Sequence, residues 1–162
     1  MDCPPKIVEA DGSKRITSEL KEVRFDKCED RDIALAAYCS SVFFWYFLTF
    51  SDCRNLNKRE VYAFPLKLSD VSKLEKANLS TLANSLMKNL QDNSHMHVME
   101  YKKYGILKVQ VFAPRLSKPV IDEIDKVLAQ HYGFTDDELD FIINYDIKYR
   151  MGNTDDENGD DE

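Results

Sequence analysis

The sequence predicts an α+β fold: short strands with a long buried aromatic helix, an amphipathic helix and a helical C-terminal end. Three observations predict it. Ile33 to Phe50, IALAAYCSSVFFWYFLTF, runs without a charge. Apolar residues recur at helical spacing between Val71 and Leu90 and again from Val120 onward. Leu107, Val109 and Val111 alternate with Lys108 and Gln110, the period of a strand.

Along the chain, KIVEADGSKRIT from Lys6 sets Asp-Gly between two mildly apolar arms, a hairpin signal. Leu20 to Phe25, LKEVRF, reads as a short strand. CEDRD then places acids where a first helical turn favours them, so a helix starts near Asp30 and runs to about Phe50. A charge-free stretch of this length stands at the lower limit for a membrane span. Its serines, threonine, cysteine and tyrosines, with aromatics spread through the middle, favour a helix buried in a soluble core.

Ser51 to Lys58 carries turn residues. VYAFPLKL, Val61 to Leu68, contains Pro65 and so reads as an edge strand or extended connector. Ser69 is an expected N-cap for an amphipathic helix over about 70–91, with Val71, Leu74, Asn78, Leu82, Leu86 and Leu90 on one face and Leu79 and Ala83 beside it. QDNSH ends it. Tyr104 to Phe112 is a strand with one wet face. Pro119 suits the first turn of a helix that Gly133 ends. TDDE, Thr135 to Glu138, is a capping box opening a further helix. The expected organisation is an α+β domain over 1–118, a helical segment over 119–151 and a disordered acidic tail over 152–162.

The net charge of −7 comes mostly from that tail, which holds six acids and no base and leaves 22 bases against 23 acids in the body. Charge distribution therefore matters more than the total. The four cysteines show no CxxC spacing and follow no secretory signal, which predicts reduced thiols in a cytoplasmic protein. The five glycines are too scattered for GxGxxG or a Walker-type loop, and GxSxG and HExxH are absent.

Two traces of metal chemistry are weak. His95 and His97 would share one face of a strand, but no third ligand stands nearby in sequence, so they read as loop histidines. Glu100-Tyr101-Lys102 and Asp146-Ile147-Lys148 match half of a metal-dependent nuclease motif, a three-residue pattern that arises by chance.

The bases are segregated. Tyr101 to Ile121 holds Lys102, Lys103, Lys108, Arg115 and Lys118 and no acid. Arg54 to Leu68 holds Arg54, Lys58, Arg59 and Lys67 against Glu60 alone. Asp122 to Arg150 holds eight acids and three bases. The two basic segments, with Asn, Tyr and Gln interleaved, are either solvated faces or surfaces for phosphates and base edges.

CSSVFFWYFLTFSDCRNLNKREVYAFPL, Cys39 to Leu66, resembles the final part of the target-recognition region of bacterial restriction-modification proteins. SKPVIDEIDKVLAQHYGFTDDELDFIINYDIKYRMG, Ser117 to Gly152, is similar to the very end of large adenine-specific DNA methyltransferases of the type II and type IIG kind. Together the two stretches cover about 40–150.

Those enzymes carry an S-adenosylmethionine loop and an (N/D)PP(Y/F) motif. The sole Pro-Pro here, Pro4-Pro5, is followed by Lys6, so no methyl-transfer machinery is legible and this chain holds no cofactor site. The resemblance implies a C-terminal segment that is noncatalytic by itself, with duplex DNA and a catalytic methyltransferase domain or subunit as partners. It implies that Arg54, Asn55, Asn57, Lys58 and Arg59 form a lip toward DNA, and the basic run adds Lys102, Lys103, Lys108 and Arg115. By side-chain chemistry, Arg54 and Asn55 suit guanine and adenine edges, and Lys58 and Arg59 suit phosphates. The second reading is a protein-interaction module that docks a methyltransferase or restriction subunit. A metal-dependent nuclease is a remote third.

Overall fold

The computed structural model describes residues 4–17, 20 and 22–151; the expected acidic tail lies outside them. The fold is α+β. Its helices are α1 (Cys28–Tyr38), α2 (Ser41–Phe50), α3 (Lys58–Ala63), α4 (Lys73–Asp92), α5 (Lys118–Tyr132), α6 (Asp136–Asn144) and α7 (Ile147–Met151). Its strands are β1 (Ile7–Glu9), β2 (Ser94–Tyr101) and β3 (Gly105–Phe112), all antiparallel in the order β1-β3-β2. A 3-10 turn, Pro114–Ser117, leads from β3 into α5.

The charge-free run is helical, as expected, but it is two helices. Helices α1 and α2 meet at a 66° bend, and Ser40 explains it. Its hydroxyl donates to the Ala37 carbonyl (2.6 Å) and accepts from the Phe43 amide (3.0 Å), so one side chain closes α1 and caps α2. Ser40→Ala is expected to cost about 1–2 kcal/mol, read as a lower urea midpoint; an unchanged midpoint would show that the cap contributes nothing. Among the described residues no single helix is long and apolar enough to cross a membrane.

The run is also buried unevenly. Ile33, Ala34, Ala36, Ala37, Val42 and Phe43 are core, whereas Phe44 to Leu48 are half-buried and Phe50 is 67% exposed. The helix therefore starts inside the molecule and emerges toward the Ser51–Asn57 turn.

α4 is the amphipathic helix, but it begins at Lys73. Ser72, not Ser69, caps it, in a reciprocal box with Glu75. Its buried stripe is also rotated from the expected one. Leu79, Ala83, Leu86 and Met87 face the core, while Leu74 and Asn78 stand in solvent. The core joins Ile33, Ala37, Phe43 and Phe64 to Leu79 and Leu86 of α4, and to Ile121, Ile124 and Leu128 of α5 and Ile142 of α6. The C-terminal helices thus share one core with the residues before Pro119.

Other expectations are corrected. Residues 22–25 form no strand. Residues 61–63 of the expected edge strand or extended connector belong to helix α3, and Pro65 follows that helix in a connector without strand. His95 and His97 sit on β2, which the break at QDNSH conceals. α5 and α6 follow expectation: Gly133 ends α5 in the left-handed region (φ 72°), and Thr135 and Glu138 form the capping box.

The strands pack on one another far more than on any helix. One end of the sheet is pinned to the helical body. Gln110 donates to Ser94 Oγ (2.8 Å) and to Gln91 Oε1 (3.2 Å), and it exchanges hydrogen bonds with the Lys6 backbone. Beyond that anchor both faces carry exposed apolar side chains. Met96, Val98 and Ile106 are exposed on one, and Met99, Tyr101 and Val111 on the other. β2 and β3 form a projecting hairpin arm.

Candidate nucleic-acid interface

Local turn chemistry builds the lip after α2. The Ser51 hydroxyl accepts from the Cys53 amide (3.0 Å), and the Asp52 carboxylate accepts from the Arg54 amide (3.1 Å). Between them Cys53 adopts φ 56°. Asn57 then caps α3 in a reciprocal box with Glu60, whose carboxylate accepts from the Asn57 amide at 3.0 Å.

Glu60 is the only charge in the lip that turns inward, with its side chain 4% exposed. Its carboxylate also accepts from Arg59, at 2.9 Å to Nε and 2.7 Å to the terminal nitrogen. Its own amide, Arg59 and the Asn57 amide hold it below the ordinary carboxylate range. Arg59 remains 76% exposed, so its guanidinium is oriented by Glu60 and still faces solvent. Arg54, Asn55 and Lys58 are exposed. Among the described residues neither Arg54 nor Lys58 has an ion-pair partner. Asn57 differs: it is half-buried, and its side chain serves the α3 cap and the Asn55 carbonyl.

The second basic segment is divided by the fold. Arg115 lies half-buried in the 3-10 turn. Leu56 and Pro114 line one cavity of about 370 Å³ with Phe44, Phe47 and Arg150, so the lip adjoins the segment that carries Arg115. Lys102 and Lys103 sit at the tip of the hairpin, in a turn closed by the Tyr104 amide on the Tyr101 carbonyl (3.2 Å). Gly105 completes that turn at φ 69°. The length of β3 sets this tip roughly 20–25 Å from the turn at Pro114. Lys108 stands midway, exposed on the central strand opposite Val98.

The arm carries cations that sequence spacing did not associate with it. Arg15 lies 3.7 Å from the Tyr104 ring centroid and pairs with Glu9, and Lys103 lies over the same ring at 5.1 Å. The signal for this is the Asp-Gly hairpin, whose first arm forms β1 and pairs with β3.

Behind the lip, Asp125 of α5 is fully buried and accepts from the Ser41 amide at 2.8 Å, fixing the start of α2. Its second oxygen has no partner among the described residues. Arg150 donates to the Ser41 hydroxyl (2.9 Å) and stacks on Phe44. Burial raises the Asp125 carboxyl above its ordinary value, against hydrogen bonds from Ser41 and Val42 and the charge of Arg150.

A raised carboxyl takes up a proton on folding. Its contribution is therefore full below the unfolded value near ~3.9 and is lost as pH rises through the folded one. Asp125→Asn is expected to remove that loss, so wild type should weaken relative to the variant as pH rises above about 4. Urea midpoints of both proteins from acid to neutral pH check it; parallel curves would overturn the assignment.

Among the described residues no three His, Cys, Asp or Glu side chains stand together as a metal-holding group. Compared with protein-family models, curated proteins and solved structures, the chain finds no match.

Proposed function

We propose that this chain reads duplex DNA as the target-recognition and C-terminal part of a bacterial adenine-N6 DNA methyltransferase of a restriction-modification system. It is catalytically silent alone. The observation that carries the reading is the lip: an aromatic helix leaves the core and delivers Arg54, Asn55, Lys58 and Arg59 to solvent within six residues, with Glu60 turned inward. Arg54 and Asn55 offer the donor and acceptor pattern for base edges, and Lys58 and Arg59 offer charge for phosphates. Arg115 lies near this lip. Lys102, Lys103 and Lys108 form a second contact on the arm, spaced to meet a duplex farther along its backbone.

Methyl transfer from S-adenosylmethionine belongs to the catalytic domain or subunit that this chain would partner. Cys28, Cys39 and Cys53 are free thiols, which suits the cytoplasm, where such DNA lies.

Fluorescence anisotropy of a labelled mixed duplex pool, titrated at low and moderate salt, tests the proposal. Binding that falls as salt rises is expected. No binding at low salt would overturn DNA reading by this chain alone.

A further inference from the structure

We infer that the face shared by α2 and α6 docks a basic amphipathic helix of a partner protein. This surface lies outside the proposed DNA contacts, and the inference does not rest on them. Between the two helices lies a hollow of about 310 Å³, lined by Trp45, Phe134, Phe141 and Ile142, with Asp137 and Glu138 at its edge.

Phe141 is the anomaly. α6 buries Ile142 and half-buries Leu139 and Ile143 on one face, yet Phe141 lies on the opposite face and is 57% exposed among acids. Its ring meets Tyr145 at 5.6 Å, and on that side a second hollow is lined by Asp137, Asp140, Asn144, Tyr145 and Asp146. Phe141 is therefore a ridge between an apolar hollow and an acidic one. Among the described residues no Lys or Arg forms an ion pair with Asp137, Asp140 or Asp146.

Charge complementarity selects the occupant. Phosphate is repelled here, whereas a lysine or arginine is attracted. A groove between two helices accepts a third helix by its apolar stripe. The two hollows share one ring, so they suit an apolar anchor and a base three or four residues apart, about 5–6 Å on a helix face. The anchor fills the hollow beside Trp45, and the base enters the carboxylates beyond Phe141.

Trp45 is the only tryptophan in the chain, so its fluorescence reports on the groove directly. The probes are two synthetic amphipathic helices of about 16 residues with the same leucine stripe, one flanked by lysine and the other by glutamate. The lysine peptide is expected to shift Trp45 emission saturably and to weaken as salt rises. Phe141→Ala, at an exposed position, should weaken it about tenfold or more with unchanged circular dichroism. Asp137→Asn with Asp140→Asn should remove most of the salt dependence.

The inference is overturned if the lysine peptide leaves Trp45 unchanged up to about 1 mM, if the glutamate peptide binds equally, or if Phe141→Ala has no effect. Duplex DNA that by itself shifts Trp45 emission saturably, with the shift lost in Phe141→Ala, would make the occupant a nucleic acid and overturn it as well.

Discussion

Replacing Arg54, Lys58 and Arg59 together by alanine is expected to flatten the salt dependence of duplex binding by about two units of log–log slope. Near 0.1 M salt that corresponds to roughly fifty-fold weaker binding. The slope falls by less than the three charges removed, because Arg54 is assigned to a base edge and only Lys58 and Arg59 to phosphates. Single changes separate the terms. Lys58→Ala should lower the slope more than Arg59→Ala, since Lys58 has no carboxylate partner among the described residues. The hairpin tip adds independently: Lys102→Ala with Lys103→Ala should subtract further slope without altering base preference. Anisotropy titrations across a salt series read all of these. A triple variant with the wild-type slope would remove the lip from the interface.

The largest stability effect is expected at Phe64. This ring is 6% exposed and ends α3. It meets Phe43 at 5.1 Å, Tyr46 at 5.2 Å, Tyr38 at 6.2 Å and Tyr132 at 6.3 Å, all edge to face. It therefore ties the end of α1, the aromatic helix and the end of α5 to the base of the lip. Phe64→Ala should cost about 3–5 kcal/mol, from lost transfer energy and the cavity left behind. Phe64→Leu refills much of the volume and should cost clearly less. Urea unfolding of both variants measures this. A loss below about 1 kcal/mol for Phe64→Ala would mean that the surrounding rings close over the gap, and that the lip does not depend on this packing.

Some parts of the structure are legible because their signals are local. The caps at Thr135 and Gly133, the acids in the first turn of α1 and the alternation of β3 all involve neighbours within a few residues. The lip is legible for the same reason: turn residues followed by a cluster of bases predict an exposed segment. What such a pattern does not reveal is that Asn57 is used in a cap and that Arg59 is held by a buried carboxylate. α3 is hidden because Pro65 dominates the reading of the segment, although the capping box Asn57–Glu60 stands just ahead of it. β2 is hidden because SHMHVMEY mixes polar and apolar residues on both faces, as a strand in solvent on both sides can.

The sequence by itself determined the α+β class, the apolar run that supplies much of the core, and the separation of bases from acids along the chain. These depend on composition and on periods of two and 3.6 residues, which need no distant partner. Only the tertiary structure decided where the long apolar run bends, which stripe of α4 faces inward, and that the second basic segment splits between Arg115 near the lip and a hairpin tip far from it. Each depends on contacts between residues distant in sequence. Asp125 reaches the start of α2 across 84 positions, Phe64 draws four rings from three other helices around itself, and Gln110 pins one end of the arm. Burial against such partners sets the orientation of each element, and local periodicity carries no record of it.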